Sequence, residues 1–215
     1  MTGKVVVITG GSAGIGAGLV AGYRRRGWTV VSSAHAIEPS EDPDLLTVPA
    51  DVSERATANR TIDAALERFR RIDTLINNAG VPIAKPFTDY SAADYAAVVG
   101  VNLATFFWFT QRAIDEMASR YGGHIVNITA TLAEHASPGR SAVLAALTEG
   151  ALAAATRSLA IEYASYGIRV NAVSPGIIAR PGQVSGVVDG VLFLESSSSV
   201  TGEILHVDGG RAAGQ

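Results

Sequence analysis

The chain has 215 residues, 47% of them hydrophobic, with 17 Lys and Arg against 20 Asp and Glu and a net charge of -3. That apolar share suits one α/β domain spanning residues 1–215 and argues against a disordered chain or two domains. Basic side chains form no run beyond Arg24-Arg25-Arg26, which reads as a solvated helix end, and there is no cysteine, so neither a nucleic-acid partner nor a disulfide framework, thiolate nucleophile or cysteine metal site is expected.

From the start, the chain runs directly into strand-like Lys4-Val5-Val6-Val7-Ile8, with neither a signal-type apolar region nor a transmembrane run. The expectation is a cytoplasmic protein with no membrane partner. Further along, β-branched runs bounded by glycine alternate with longer alanine-rich segments of helical period, the pattern of parallel βαβ units. Strands are predicted near Val5 to Thr9, Thr29 to Ser33, Leu45 to Val48, Thr74 to Asn77, His124 to Ile128, Arg169 to Val173 and Glu203 to Val207. Helices are predicted in the intervals, notably Ile15 to Arg26, Glu54 to Arg70, Asn102 to Ser119 and Ala142 to Tyr163. The fold class is therefore α/β, a doubly wound parallel sheet of about seven strands with helices on both faces. Ser196 to Ser199 reads as an ordinary loop before the last strand.

Gly10-Gly11-Ser12-Ala13-Gly14-Ile15-Gly16 follows a predicted strand and opens a predicted helix. In that setting glycines turn tightly and let the backbone approach a pyrophosphate, while the helix N-terminus supplies oriented N–H groups. Glycines also serve plain strand-to-helix turns, so further residues must carry the reading. They are Asp51-Val52, Asn77-Asn78-Ala79-Gly80, Asn102, Ser174-Pro175-Gly176 and Val207-Asp208-Gly209-Gly210. With these, the chain resembles the short-chain dehydrogenase/reductase family almost end to end.

The resemblance implies a single-domain Rossmann fold that binds NAD or NADP. Gly10, Ser12, Gly14, Ile15 and Gly16 would cradle the nucleotide, Asp51 and Val52 would meet the adenine, and Asn78, Ala79 and Gly80 would lie against the adenosine half. Pro175 and Gly176 are implied as further cofactor contacts. Asp51 also stands in a helix-capping region ahead of Ser53, and Asn77 reads as a tie between strands. Where the family selects between the two nucleotides, this chain has Ser32-Ser33-Ala34-His35, with neither carboxylate nor arginine. Ser33 and His35 either bind a phosphate by neutral hydrogen bonds or are loop residues, and the preference stays open.

The family's chemistry uses a tyrosine as proton donor, a lysine four residues later, a serine at a strand end and an asparagine. Aligned by Ile125-Val126-Asn127-Ile128 and Ala151-Leu152, the serine position is Ala130, the tyrosine position Val143 and the lysine position Leu147, and only Asn102 remains. Ser141 to Leu152 contains no tyrosine and no lysine. Aliphatic side chains neither donate protons nor carry charge. Val143 with Leu147 forms an apolar patch that either lines a dry pocket or packs against a neighbour. His135, beside Glu134, is a candidate replacement donor or a solvated loop residue. Thr129, Thr131, Lys85, Tyr90 and Tyr95 are weaker candidates. The substrate lid that the family carries after Pro175-Gly176 is largely missing, and Arg180 replaces a threonine there.

Phe106, Phe107, Trp108 and Phe109 cover every face of one helix, so some of them must meet another surface. In relatives that helix and the Ala142 to Tyr163 helix build a dimer interface, which implies a homo-dimer or tetramer, or a heteromer with an active relative. Three functions follow: an NAD(P)-dependent oxidoreductase acting on a carbonyl or alcohol; a non-redox isomerase, cyclase or lyase; and a catalytically silent binding or partner subunit. Each takes an unknown small molecule or none.

Overall fold

A computed structural model describes residues 3–133, 136, 141–178 and 181–214. Strands β1 (Val5–Thr9), β2 (Thr29–Ala34), β3 (Leu45–Pro49), β4 (Thr74–Asn77), β5 (Gly123–Ile128), β6 (Ile168–Pro175) and β7 (Ile204–Val207) form one sheet in the order β3-β2-β1-β4-β5-β6-β7. Every pairing is parallel, with Val6 opposite Val30 on one side of β1 and opposite Thr74 on the other. β1 and β2 are buried along their whole length, which is why they read as unbroken apolar or small-residue runs rather than alternating ones. The order reverses between β1 and β4, so a crevice opens at the carboxyl ends of those strands.

Helices α1 (Gly14–Arg25) and α6 (Pro181–Ser196) cover one face, where Ile8, Leu19, Tyr23, Val126, Val191 and Leu194 pack together. Helices α2 (Arg55–Phe69), α4 (Thr105–Ser119) and α5 (Val143–Glu162) cover the other, around Val7, Ile62, Leu75, Phe109, Met117 and Ile125. The predicted strands match to within two residues at each end, and so do most of the predicted helices.

The exception is the helix expected from Asn102 to Ser119. It is preceded by α3 (Ala92–Val98) and by a wide π-helical segment, Val99–Ala104, which contains Asn102. Such wide turns occur where a side chain must be aimed at a partner the regular ladder would miss. Asn102 is that side chain, as its bonds below make plain. The start of α3 carries a legible signal: the Ser91 hydroxyl accepts from Asp94 N–H while the Asp94 carboxylate accepts from Ser91 N–H, a capping box.

Two helical stretches, Ala92–Ser119 and Val143–Glu162, are long and apolar enough by length and composition to cross a membrane, a property the sequence reading did not anticipate. Phe109, Ala113 and Met117 of the first pack into the core. Only 22% and 33% of their most apolar windows are buried, which leaves apolar outer faces bare.

At the amino ends of the strands lies a buried polar knot. The Glu195 carboxylate accepts from Tyr23 Oη (3.0 Å), Thr74 Oγ1 (2.9 Å) and His124 Nδ1 (3.1 Å). Asn171 Nδ2 faces His124 Nε2 at 3.1 Å and also donates to the Val200 carbonyl, while Asn171 Oδ1 accepts from Glu203 N–H. Arg169 donates to the carbonyls of Leu194, Ser197 and Val200, where α6 ends and its negative dipole end needs a cation.

Candidate active site

After β1 the chain turns with Gly10 at φ +72° and Gly14 at φ +53°, backbone conformations that disfavour any side chain. Gly10 N–H donates to the Ser33 carbonyl at 2.7 Å. A Cβ on Gly10 would lie 2.9 Å from Ala79 Cα, and one on Gly16 would meet Asn78 Nδ2 at 2.7 Å as well as the Gly10 carbonyl. The turn is thus pressed against the loop after β4. Ala13, the residue capping α1, offers no side-chain bond, and the first turn carries no acid. Its N–H groups and partial positive charge are left for an anion.

The Asn78 side chain holds the two loops together, donating from Nδ2 to the carbonyls of Thr9 (3.0 Å) and Gly10 (3.1 Å). Thr9 Oγ1 accepts in return from Asn78 N–H and Ala79 N–H. Asn77 plays the strand tie expected of it, donating to Thr110 Oγ1 and Asn127 Oδ1, both at 2.9 Å. The resulting crevice has a volume of about 480 Å³, and its lining includes Ser12, Ile15, His35, Val52, Ala79 and Gly80.

Of two candidate contacts, Ser33 differs from expectation in placement, while Asp51 takes the place expected of it in the capping region ahead of Ser53. Ser33 is fully buried and its hydroxyl donates to the Val48 carbonyl at 3.1 Å, so it faces β3 rather than a phosphate. The strand contains Ser33, as predicted, and continues one residue further, to Ala34, so that Ser33 pairs fully with β3. Asp51 is exposed at the rim. Its Oδ1 accepts from Ser53 Oγ (2.7 Å) and Ser53 N–H (2.9 Å), which lowers its carboxyl below the usual range.

Across the crevice, Asn102 is buried, with Oδ1 accepting from Val81 N–H (2.9 Å) and Nδ2 donating to Thr148 Oγ1 (3.1 Å). Both ends of its amide are committed, so it brackets the loop after Gly80 to α5. The face of α5 turned inward is therefore that of Leu144, Thr148 and Leu152, all buried. Val143 and Leu147 lie on another arc and are 40% and 58% exposed, so they do not pack inside the fold. This corrects their assignment to the cleft-facing positions: at about 100° per residue, Leu147 turns to one side of Thr148 and Glu149 to the other. Glu149 is a residue the sequence reading passed over, and burial raises its carboxyl to about 7.

The remaining donor candidates are tied up or out of view. Lys85 Nζ pairs with both Asp94 oxygens at 2.7 and 2.8 Å, holding that carboxyl down at about 2, and Tyr90 Oη donates to the Ile83 carbonyl. Tyr95 is 57% exposed on α3. Thr129 and Thr131 are both buried and bonded to backbone carbonyls of β6, Thr129 to Val173 and Thr131 to Pro175. His135, Glu134 and Arg180 lie outside the described residues.

Pro175 and Gly176 end β6 beside a second cavity of about 580 Å³, whose lining includes Gly176, Ile178, Gln183 and Asp208. Asp208 accepts from Gly210 N–H, Ala212 N–H and Thr131 Oγ1, and a Cβ on Gly176 would come 2.9 Å from Asp208 Cα. The Asp208-Gly209-Gly210 turn therefore braces the ends of β5 and β6 against each other.

Comparison with known proteins agrees with this architecture. The family described as short chain dehydrogenase matches residues 4–185. Levodione reductase of Leifsonia aquatica is 34% identical over 192 residues, covering 84% of this chain and 71% of that protein. A short chain dehydrogenase from Leptospira borgpetersenii, solved with bound NAD+, superposes with a TM-score of 0.90 at 28% identity, covering 99% of this chain and 94% of the other. ElxO with NADP bound superposes at 0.89 and 26% identity over 99% and 100%. The crevice at the β1–β4 switch, its glycine turn and the bracing loops are thus those of a common scaffold, and the chain belongs to the short-chain dehydrogenase family.

Proposed function

We propose that this chain binds NAD or NADP in the β1–β4 crevice and uses it in oxidoreduction of a carbonyl or alcohol, on a scaffold that lacks the family's usual serine, tyrosine and lysine. The observation that carries the first half is the cradle itself: a Cβ at Gly10 or Gly16 would push apart the two loops that shape it, and the N-terminus of α1 beside it is neither capped by a side chain nor neutralised by an acid. Gly10, Ser12, Ile15 and Gly16 would hold the diphosphate; Val52 and Ala79 would flank the base; Asp51 would stand at its edge. When bound, a reduced nicotinamide supplies hydride. The second half is supported by Ala130 at the end of β5 and by the absence of tyrosine and lysine from Ser141 to Leu152.

Titration with NADH and NADPH, followed by fluorescence, tests the reading. Both are expected to bind saturably. Because Ala34, His35 and Ala36 offer the ribose neither carboxylate nor arginine, the two affinities are expected to lie within about tenfold of each other. Absence of binding would favour the partner-subunit reading instead.

The bare faces of α4 and α5 support a homo-dimer in which they pack on a second copy. Between them runs a groove of about 430 Å³, lined by Phe106, Phe107, Ile114, Leu159 and Tyr163, with Phe107 51% exposed. An apolar surface of this kind covers itself by association. Phe107→Asp is expected to shift the protein to the mass of one chain in light scattering; an unchanged mass would remove α4 from the interface.

A further inference from the structure

Glu149 is the titratable group that neither the fold nor the crevice accounts for. Its Oε2 is shut off from solvent and has no hydrogen-bond partner among the described residues. The polar neighbours that meet both ends of the buried Asn102 and Asn171 amides are not brought to it among the described residues.

Its place along the sheet follows from its own helix. Thr156, two turns further on and on nearly the same face, accepts a hydrogen bond from Asn127 of β5 at 2.8 Å. Seven residues of helix rise about 10 Å. As the crossover between two parallel strands, α5 runs back against β5, so moving toward its start is moving beyond the carboxyl end of that strand. About 10 Å at about 3.3 Å per residue is three residues past Asn127, which is Ala130. Glu149 therefore stands level with Ala130, one residue from Thr148, whose hydroxyl holds Asn102 and through it the loop after Gly80.

We propose that Glu149, in its acid form, is the proton donor of this cleft, delivering its proton to the oxygen of a carbonyl substrate at the end of β5 beside Asn102. The assignment rests on the nicotinamide-dependent reading above. The carboxyl O–H bond breaks and the O–H bond of the product alcohol forms. The other hydrogen and both electrons arrive as hydride, the chemistry that a reduced nicotinamide dinucleotide supplies, and water then reprotonates the carboxylate. Among the described residues burial alone raises the carboxyl, to about 7: no charged side chain from β5, β6, the π-helical segment, α3 or Thr131–Ala133 contributes. Near neutral pH it is thus present in both forms, as a group that gives and regains a proton must be.

The test combines two readouts. In protein labelled at glutamate carboxyl carbon, NMR is expected to find one carboxyl titrating near pH 7 that vanishes in Glu149→Gln. With phenanthrenequinone as the carbonyl probe and NADPH as reductant, Glu149→Gln is expected to lower turnover ~10²- to 10⁴-fold with NADPH affinity unchanged. Glu149→Asp recovers part of the rate, and wild-type reduction slows as pH rises through the same titration. A carboxyl titrating in the ordinary glutamate range, wild-type protein that binds NADPH yet reduces no quinone, or a Glu149→Gln variant as fast as wild type would each overturn the assignment alone. Failure of wild-type protein to bind NADPH would overturn the nicotinamide reading and the assignment with it.

Discussion

Gly16→Val is expected to abolish nucleotide binding and to lower Tm by roughly 6–12 °C, taking about 3 kcal/mol for an overpacked buried site and roughly 2–4 °C per kcal/mol at this chain length. The new Cβ alone would meet Asn78 Nδ2 at 2.7 Å and press on the Gly10 carbonyl. Neither neighbour is the free end of a flexible side chain: Asn78 is bonded to the Thr9 and Gly10 carbonyls that close the turn. The loop after β4 must therefore move away from β1, and the crevice opens where the diphosphate would lie. Calorimetry and NADPH titration on the same sample check both halves. Gly14→Ala is a fitting control, because a Cβ there meets nothing within 4 Å although its φ of +53° strains any side chain; it should bind more weakly without losing as much stability.

The second large effect is expected at the foot of the sheet. Glu195→Ala should cost about 3–5 kcal/mol, as does breaking other buried charged networks, or roughly 6–20 °C in Tm. The substitution strands three donors at once, Tyr23 Oη, Thr74 Oγ1 and His124 Nδ1. The same knot makes stability pH-dependent. Asn171 Oδ1 is fixed as the acceptor from Glu203 N–H, so Asn171 Nδ2 faces His124 Nε2 and that nitrogen must accept. The folded protein thus needs the neutral imidazole with its proton on Nδ1, and burial lowers the His124 pKa accordingly. A histidine whose folded pKa lies below its unfolded value of about 6.5 contributes stability that is fully present above that pH and is lost as pH falls through the folded value. Glu195, held as a carboxylate below its ordinary pKa by its donors despite burial, adds a loss in the same direction at lower pH. Urea unfolding at about pH 7.5 and about pH 5 should find the wild type weaker in acid, and His124→Leu should flatten the upper part of that slope. A His124→Leu protein with the wild-type slope would refute this account.

The sheet was legible because its central strands are buried on both faces and so appear as unbroken Val and Ile runs between glycines, as in Val5–Thr9. The nucleotide cradle was legible for a related reason: glycines that a close backbone approach demands cannot be replaced quietly. Ser33 was rightly placed in its strand, but nothing local shows that its hydroxyl meets the Val48 carbonyl of β3, a partner set by tertiary pairing, rather than the crevice. The wide turn at Asn102 left no mark in the local pattern, since it is imposed by partners distant in sequence, Val81 and Thr148. Which arc of α5 faces the crevice was likewise invisible. That helix is apolar nearly all round, so no polar stripe announces its inner side, and a shift of two positions moves the focus from Leu147 to Glu149.

The two ends of the sheet are fastened by different chemistry, and this divides how the molecule answers its surroundings. Amides and hydroxyls of Thr9, Asn78, Asn102 and Thr148 set the geometry of the ligand mouth, and none of them ionises near neutral pH. Glu195, His124 and Arg169 clamp the opposite end. Falling pH thus loosens the base of the fold, far from the nucleotide, while the hydrogen bonds that shape the mouth keep their protonation states and Glu149 beside them only gains its proton.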